Sequence, residues 1–175
     1  SPMTGSAMDL QAAAAASPRP HRCVHLQTNT DQSVWRRASD TRLTRCCHLL
    51  ARATARLDED PAAALLLSRR ARQLAPEMAG AHVVAARAAM RQDDIAGAMQ
   101  SFERAAKLDR RSLDPPIIMF ERAFVAWRSG QRKLALDLYR ALAPRVALLP
   151  SRATRALSLL RAAHLTLSQA AAVKP

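Results

Sequence analysis

The sequence predicts an all-α protein built as a right-handed helical-repeat solenoid, and three observations carry that expectation. Alanine makes up about a fifth of the 175 residues, glycine numbers 4 and aromatics reach only 3%. That mixture favours helix and starves strands of the β-branched and aromatic residues they prefer. Apolar residues recur at helical spacing from about residue 41 to 168, broken only by short turns. Whole blocks of that pattern then return after a fixed number of residues.

Taken in order, residues 1–40 carry Pro18, Pro20 and scattered polar side chains without a lasting apolar period. They predict a largely disordered tail, with a short helix around Val34 to Ala38. The first helix of the repeat domain, 41–168, is expected from Thr41 to Leu57, with Leu43, Leu49, Leu50 and Leu57 inward. Asp58-Glu59-Asp60-Pro61 ends it: Asp60 suits an N-cap, and Pro61 suits the first helical position, where its missing N–H is not needed. The second helix holds Leu65, Leu66, Ala71 and Leu74, with Pro76 beyond its end.

A third helix, Glu77 to Arg91, is nearly all Ala, Val and Met on its inner side. Asp93 and Asp94 form a turn into a fourth, with Ile95, Ala98, Met99, Phe102, Ala105 and Leu108. After a longer loop, Asp114-Pro115 is expected to repeat the Asp60-Pro61 device. The fifth helix carries Ile118, Phe120, Phe124 and Trp127 up to Gly130, read as a left-handed cap. A sixth holds Leu134, Leu138 and Leu142, and a seventh starts after Ser151 and runs through Leu157, Leu160 and Leu165 to Ser168. Residues 169–175 are expected as a C-terminal tail.

The periodicity is specific. Ala64, Ser68, Ala71 and Pro76 align with Ala98, Phe102, Ala105 and Arg110 at an offset of 34 residues, as do His48, Ala51 and Ala55 with His82, Ala85 and Ala89. A third copy, Ala123, Ala126, Gly130, Ala135 and Tyr139, follows at 37, the extra residues falling in the loop Asp109 to Pro116. Pro76 to Asp109 reads P-x-x-A-x-A…A-x-x-A…D-x-x-G-A-x-x-x-F-x-x-A-x-x-L-D and resembles a tetratricopeptide repeat. The resemblance spans about 41–168 as three helix–turn–helix hairpins plus a last helix. It departs from the pattern at Arg52, Ser68 and Arg110.

That resemblance implies a non-enzymatic protein-interaction or scaffolding module whose first helices line a concave groove for a partner peptide or subunit. Mapped by spacing, the groove would hold Leu49, Ala53 and Arg56, then Val83, Arg87, Met90 and Arg91. Phe120, Phe124, Trp127 and Arg128 would follow, with Leu157 and Arg161 from the last helix. Guanidiniums beside apolar anchors suit an acidic peptide or chain terminus. The family's carboxylate clamp is not expected, because Leu49 and Ala53 stand where it uses Lys and Asn. Phe120, Phe124 and Trp127 fit equally well as core packed against the last helix. The unpaired seventh helix predicts either a cap or a contact within a larger assembly.

Charge supplies the rival expectation. The 27 Lys and Arg against 14 Asp and Glu give +13, and residues 111–175 alone carry 11 against 3. Arg140, Arg145, Arg152 and Arg155 form a basic patch that could meet nucleic acid or an anionic membrane surface. Few aromatics are available for stacking on single strands. No segment reaches the ~20 apolar residues of a membrane span. Cys23, Cys46 and Cys47 are no disulfide framework, and a reducing, cytoplasmic compartment is the default. With His21, His25 and His48 they lack metal-ligand spacing, and adjacent Cys46 and Cys47 diverge by about 100° on a helix. No glycine-rich phosphate loop, nucleophile–base set or paired carboxylate is legible, so neither a catalytic site nor a cofactor is expected.

Overall fold

The computed structural model describes residues 40–172. The expected N-terminal tail up to residue 39, with the helix at Val34 to Ala38 and with His21, Cys23 and His25, lies outside the described residues, as do 173–175. Seven α-helices follow one another: α1 Asp40–Arg56, α2 Pro61–Leu74, α3 Ala79–Arg91, α4 Ile95–Leu108, α5 Pro116–Arg128, α6 Arg132–Leu142 and α7 Arg152–Ala172. Two 3₁₀ turns, Arg110–Leu113 and Ala143–Leu148, precede α5 and α7. Among the described residues there is no strand, so the all-α expectation holds. Each helix packs on its neighbours in sequence, and α3 also touches α1 and α5.

Local chemistry explains the helix boundaries. Asp60 caps α2, its Oδ1 accepting from Ala63 N at 2.9 Å, and Pro61 takes the first turn. Asp94 caps α4 in the same way through Gly97 N at 2.8 Å. Ser151 does so for α7 through Thr154 N. The expected repeat of this device at Asp114-Pro115 does not form. Pro115 itself occupies the cap position of α5, Pro116 opens the helix, and no side chain accepts from the first turn. The reason is the intervening 3₁₀ turn, which Asp109 caps through Arg111 N at 2.9 Å and which already carries the chain round.

The turns α3–α4 and α5–α6 share one geometry. Asp93 (φ 60°) and Gly130 (φ 81°) are the positive-φ residues among those described, and they stand 37 positions apart. Asp94 N donates to Ala89 O at 3.0 Å, and Gln131 N to Ala126 O at 2.9 Å. Such six-to-one bonds close a helix whose next residue turns left-handed. The α1–α2 turn is different: Asp60 N donates to Arg56 O at 2.8 Å, and Leu57 lies in the turn, where it is buried.

The core is in two parts joined by α3. Cys46, Leu50, Leu57, Met78 and Val84 centre one cluster. Phe102, Leu136, Tyr139, Leu113 and Ile118 centre the other. Alanines at Ala81 and Ala88 serve the first, and those at Ala86 and Ala89 the second, so α3 is buried nearly all round, as its composition requires. Small side chains let its neighbours approach closely. Phe102 and Tyr139 are fully buried at the places where α2 has only Ser68. There the Ser68 hydroxyl turns back to Leu65 O at 2.8 Å.

Helix α7 departs furthest from expectation. It extends to Ala172 and buries only Ser158 and Leu165. Of the apolar residues expected along it, Leu165 is buried, whereas Leu157, mapped to the groove, and Leu160 are 39% and 67% exposed, and Leu167 is 71% exposed. No helix of the described residues is long and apolar enough to cross a membrane.

Candidate functional site

Three alternate helices, α3, α5 and α7, bring together the charged and aromatic residues that the sequence assigned to a groove. Their centre is a residue the sequence reading missed, Glu121 of α5. Its carboxylate is nearly fully buried, with only 5% of the side chain exposed. Oε2 accepts from Arg87 Nε at 2.6 Å, while Oε1 accepts from Arg87 at 3.2 Å and from Arg91 at 3.1 Å. Arg91 in turn donates Nε to Asp58 Oδ1 at 2.6 Å, linking the α1–α2 turn to α5 through α3. Burial alone would lower the Arg91 pKa, but Glu121 and Asp58 outweigh it and the value is raised. The hydrogen bond and charge of Arg91 hold the Asp58 carboxyl below its usual range.

A second group adjoins this one along α5. Phe124 and Trp127, with ring centres 6.1 Å apart and planes tilted by 42°, form an apolar shelf. The Arg161 guanidinium of α7 lies over both rings, 4.7 Å from Phe124 and 4.6 Å from Trp127. It also donates to the Tyr139 hydroxyl at 3.3 Å. Burial pushes that phenol upward, with Arg161 opposing. Arg128 extends from the end of α5 to Asp93 at 2.9 Å. Among the described residues, Arg161 has no carboxylate within ion-pair distance, whereas Arg87 and Arg128 each have one and Arg91 has two.

Other expected groove residues are elsewhere. Val83 is core, 7% exposed among the residues around Phe102, because it faces α4 across the hairpin. Met90 is half-buried against the same cluster. Phe120 packs edge-on against buried Tyr139 at 6.3 Å. Leu49 opens instead onto a separate cavity of about 520 Å³ with Arg45, Arg52 and Arg70. Arg56 is exposed, 4.0 Å from Asp60 within its own turn. All three aromatics are thus partly buried against the core around Tyr139, and Phe124 and Trp127 lie in addition under Arg161 of α7.

Of the basic patch, Arg145 donates to Asp114 O at 2.9 Å and Arg155 to Ala147 O at 3.4 Å, so both fasten loops. Arg140 and Arg152 are exposed. Cys46 is buried with Sγ 3.6 Å from both Ala71 O and Met78 Sδ, while Cys47 is half-buried. Among the described residues, no group of three His, Cys, Asp or Glu side chains could hold a metal ion. No family model, curated protein or solved structure matches the chain.

Proposed function

We propose that this chain is a non-enzymatic helical-repeat module that binds a protein partner on the face formed by α3, α5 and α7. Support for the repeat comes from the two left-handed turns at Asp93 and Gly130 with their matching hydrogen bonds, alongside the resemblance of Pro76–Asp109 to a tetratricopeptide repeat. The observation that carries the binding reading is Arg161. It is a half-exposed guanidinium laid on Phe124 and Trp127 with no carboxylate of its own among the described residues. Its free N–H groups suit a carboxylate, and the shelf beneath suits an apolar neighbour. The partner is therefore a peptide or subunit presenting one acidic group beside an apolar side chain. Arg87 and Arg91 position the face and are not available as anchors.

Affinity purification with mass spectrometry, run with Trp127→Ala and Arg161→Gln as matched controls, tests this. The expected result is a partner retained by the wild type and lost from both variants. Partners unchanged by either substitution would sink the reading. A second reading, that the basic final third binds nucleic acid or an anionic membrane, draws on one observation: no acidic residue follows Asp137. Phosphate-driven binding would weaken steeply between low and physiological salt and fail on charge reversal at Arg140 and Arg152. Binding through the aromatic face would follow Trp127 instead.

A further inference from the structure

A second site is built into the other side of α3. His82 lies nine residues before Arg91, two and a half helical turns away, and so projects opposite to the Glu121 clasp. It lines a cavity of about 410 Å³ between α2, α3 and α4, with Arg72 from α2 and Gln100, Ser101, Glu103, Arg104 and Lys107 from α4. His82 is itself more than nine-tenths buried, at 8% exposure. Its Nε2 lies 3.3 Å from Pro76 O. A carbonyl can only accept, so Nε2 carries the proton. The neutral ring then leaves Nδ1 as a bare acceptor, and Nδ1 is buried with no hydrogen-bond partner. Among the described residues the chain supplies no donor to it, so this imidazole is held in the cavity wall without a full set of polar partners.

The charges around it are equally uncompensated. Three cations, Arg72, Arg104 and Lys107, line the cavity against the single carboxylate of Glu103. None of the three cations is within ion-pair distance of a carboxylate among the described residues. Burial and the nearby Arg69 charge lower the Arg72 pKa, so this guanidinium is held where it is least well solvated. A net charge of two, with guanidinium, ammonium, hydroxyl and amide donors drawn from two helices, matches a tetrahedral dianion better than a flat monovalent carboxylate.

We infer that this cavity is an oxyanion site for a phosphomonoester, held by Arg72, Arg104 and Lys107 beside the buried imidazole of His82. The site is independent of the Arg161 face, and either can fail without the other. Inorganic phosphate is the probe, titrated calorimetrically into the full chain at neutral pH and constant ionic strength, with acetate as the comparison. Saturable binding of one phosphate, about tenfold tighter than acetate, is expected, since charge-assisted bonds to two more oxygens are gained. Arg104→Gln and Lys107→Gln, both at exposed positions, should each weaken it about tenfold while circular dichroism stays unchanged. The ¹⁵N resonances of His82 should move on phosphate addition in the wild type and stay still in Arg104→Gln. Phosphate binding no tighter than acetate overturns the inference. So does binding that survives Arg104→Gln, which would mark an adventitious ion only. A phosphodiester oligonucleotide that displaces phosphate at lower phosphate-equivalent concentration would overturn it too, because each diester carries only one charge.

Discussion

Replacing Glu121 with Gln should be among the most damaging conservative changes in the molecule. The substitution keeps shape and removes charge from a side chain that is only 5% exposed. It leaves Arg87, 16% exposed, without a carboxylate, and Arg91, 20% exposed, with Asp58 alone. Removing one partner of a buried ion pair costs about 3–5 kcal/mol, chiefly because the survivor is stranded out of water. Here both guanidiniums retain some solvent and the amide oxygen still accepts one bond, which brings the expectation to about 2–3 kcal/mol. For a chain of this size that is a fall in Tm of about 6–10 °C. Urea unfolding followed by circular dichroism reads it directly, whereas guanidinium would screen the charges under study. A paired apolar replacement, Arg87→Met with Glu121→Leu, should recover much of the loss, because no charge is then stranded. A Glu121→Gln protein within about 0.5 kcal/mol of wild type would refute the argument, and would mean the clasp opens freely to water.

Gly130→Ala should cost about 1 kcal/mol, read as a shifted urea midpoint. Nothing lies within 4 Å of an added Cβ at φ 81°, so the cost is conformational alone. Asp94→Ala should lose about 1 kcal/mol by uncapping α4, checked in the same assay. The His82 pKa is lowered from 6.5, first by burial and then by Arg72 and Arg104, against the Pro76 carbonyl. The unfolded chain therefore takes up a proton that the folded chain refuses. Stability from this group is complete above pH 6.5 and declines as pH falls from there toward the lowered native value. His82→Gln, which keeps an N–H for Pro76 but does not titrate, should flatten that part of the stability profile in phosphate-free buffer. An unchanged profile would show that His82 is protonated in the native state.

The fold was legible to the extent that it depends on residue type in a local window. Asp60-Pro61, Asp94 and Ser151 act as caps because each needs only its own side chain and the next turn. Gly130 likewise announced its left-handed backbone. Asp114-Pro115 misled because the same dipeptide follows a 3₁₀ turn whose presence depends on buried Leu113 finding the core. The apolar period through Leu157, Leu160 and Leu165 did not tell which of them is covered, because period alone does not say whether a neighbour exists to cover it.

The site was legible only in part, for a related reason. Arg87, Arg91, Trp127 and Arg161 could be placed by spacing, but their states depend on partners tens of residues away. Glu121 was overlooked because, with Arg122, it is one of two charged residues in the otherwise apolar run from Ile117 to Trp127. The available signal was a carboxylate among mainly apolar neighbours: once buried it needs a cation, and Arg87 stands 34 positions earlier.

On the binding face proposed above, Glu121 would also limit which partner could be accepted. An acidic ligand approaching Arg87 or Arg91 would have to displace a carboxylate already held by three hydrogen bonds at 2.6–3.2 Å. That carboxylate is preorganised and already desolvated, so an incoming group, which must lose its own water and freedom, competes at a disadvantage. Arg128 is less protected, since its Asp93 partner is 73% exposed, but for the same reason it is weakly attractive to a ligand in salt. Arg161 differs from all three: two rings shield one side of it and no carboxylate opposes it among the described residues. Under the proposed function, the groove cations and aromatics that suggested a broadly acidic ligand would thus favour a single carboxylate, read at one position and flanked by apolar contact. If the proposed face binds a partner, it would discriminate by the placement of one charge on a surface, not by the partner's net charge.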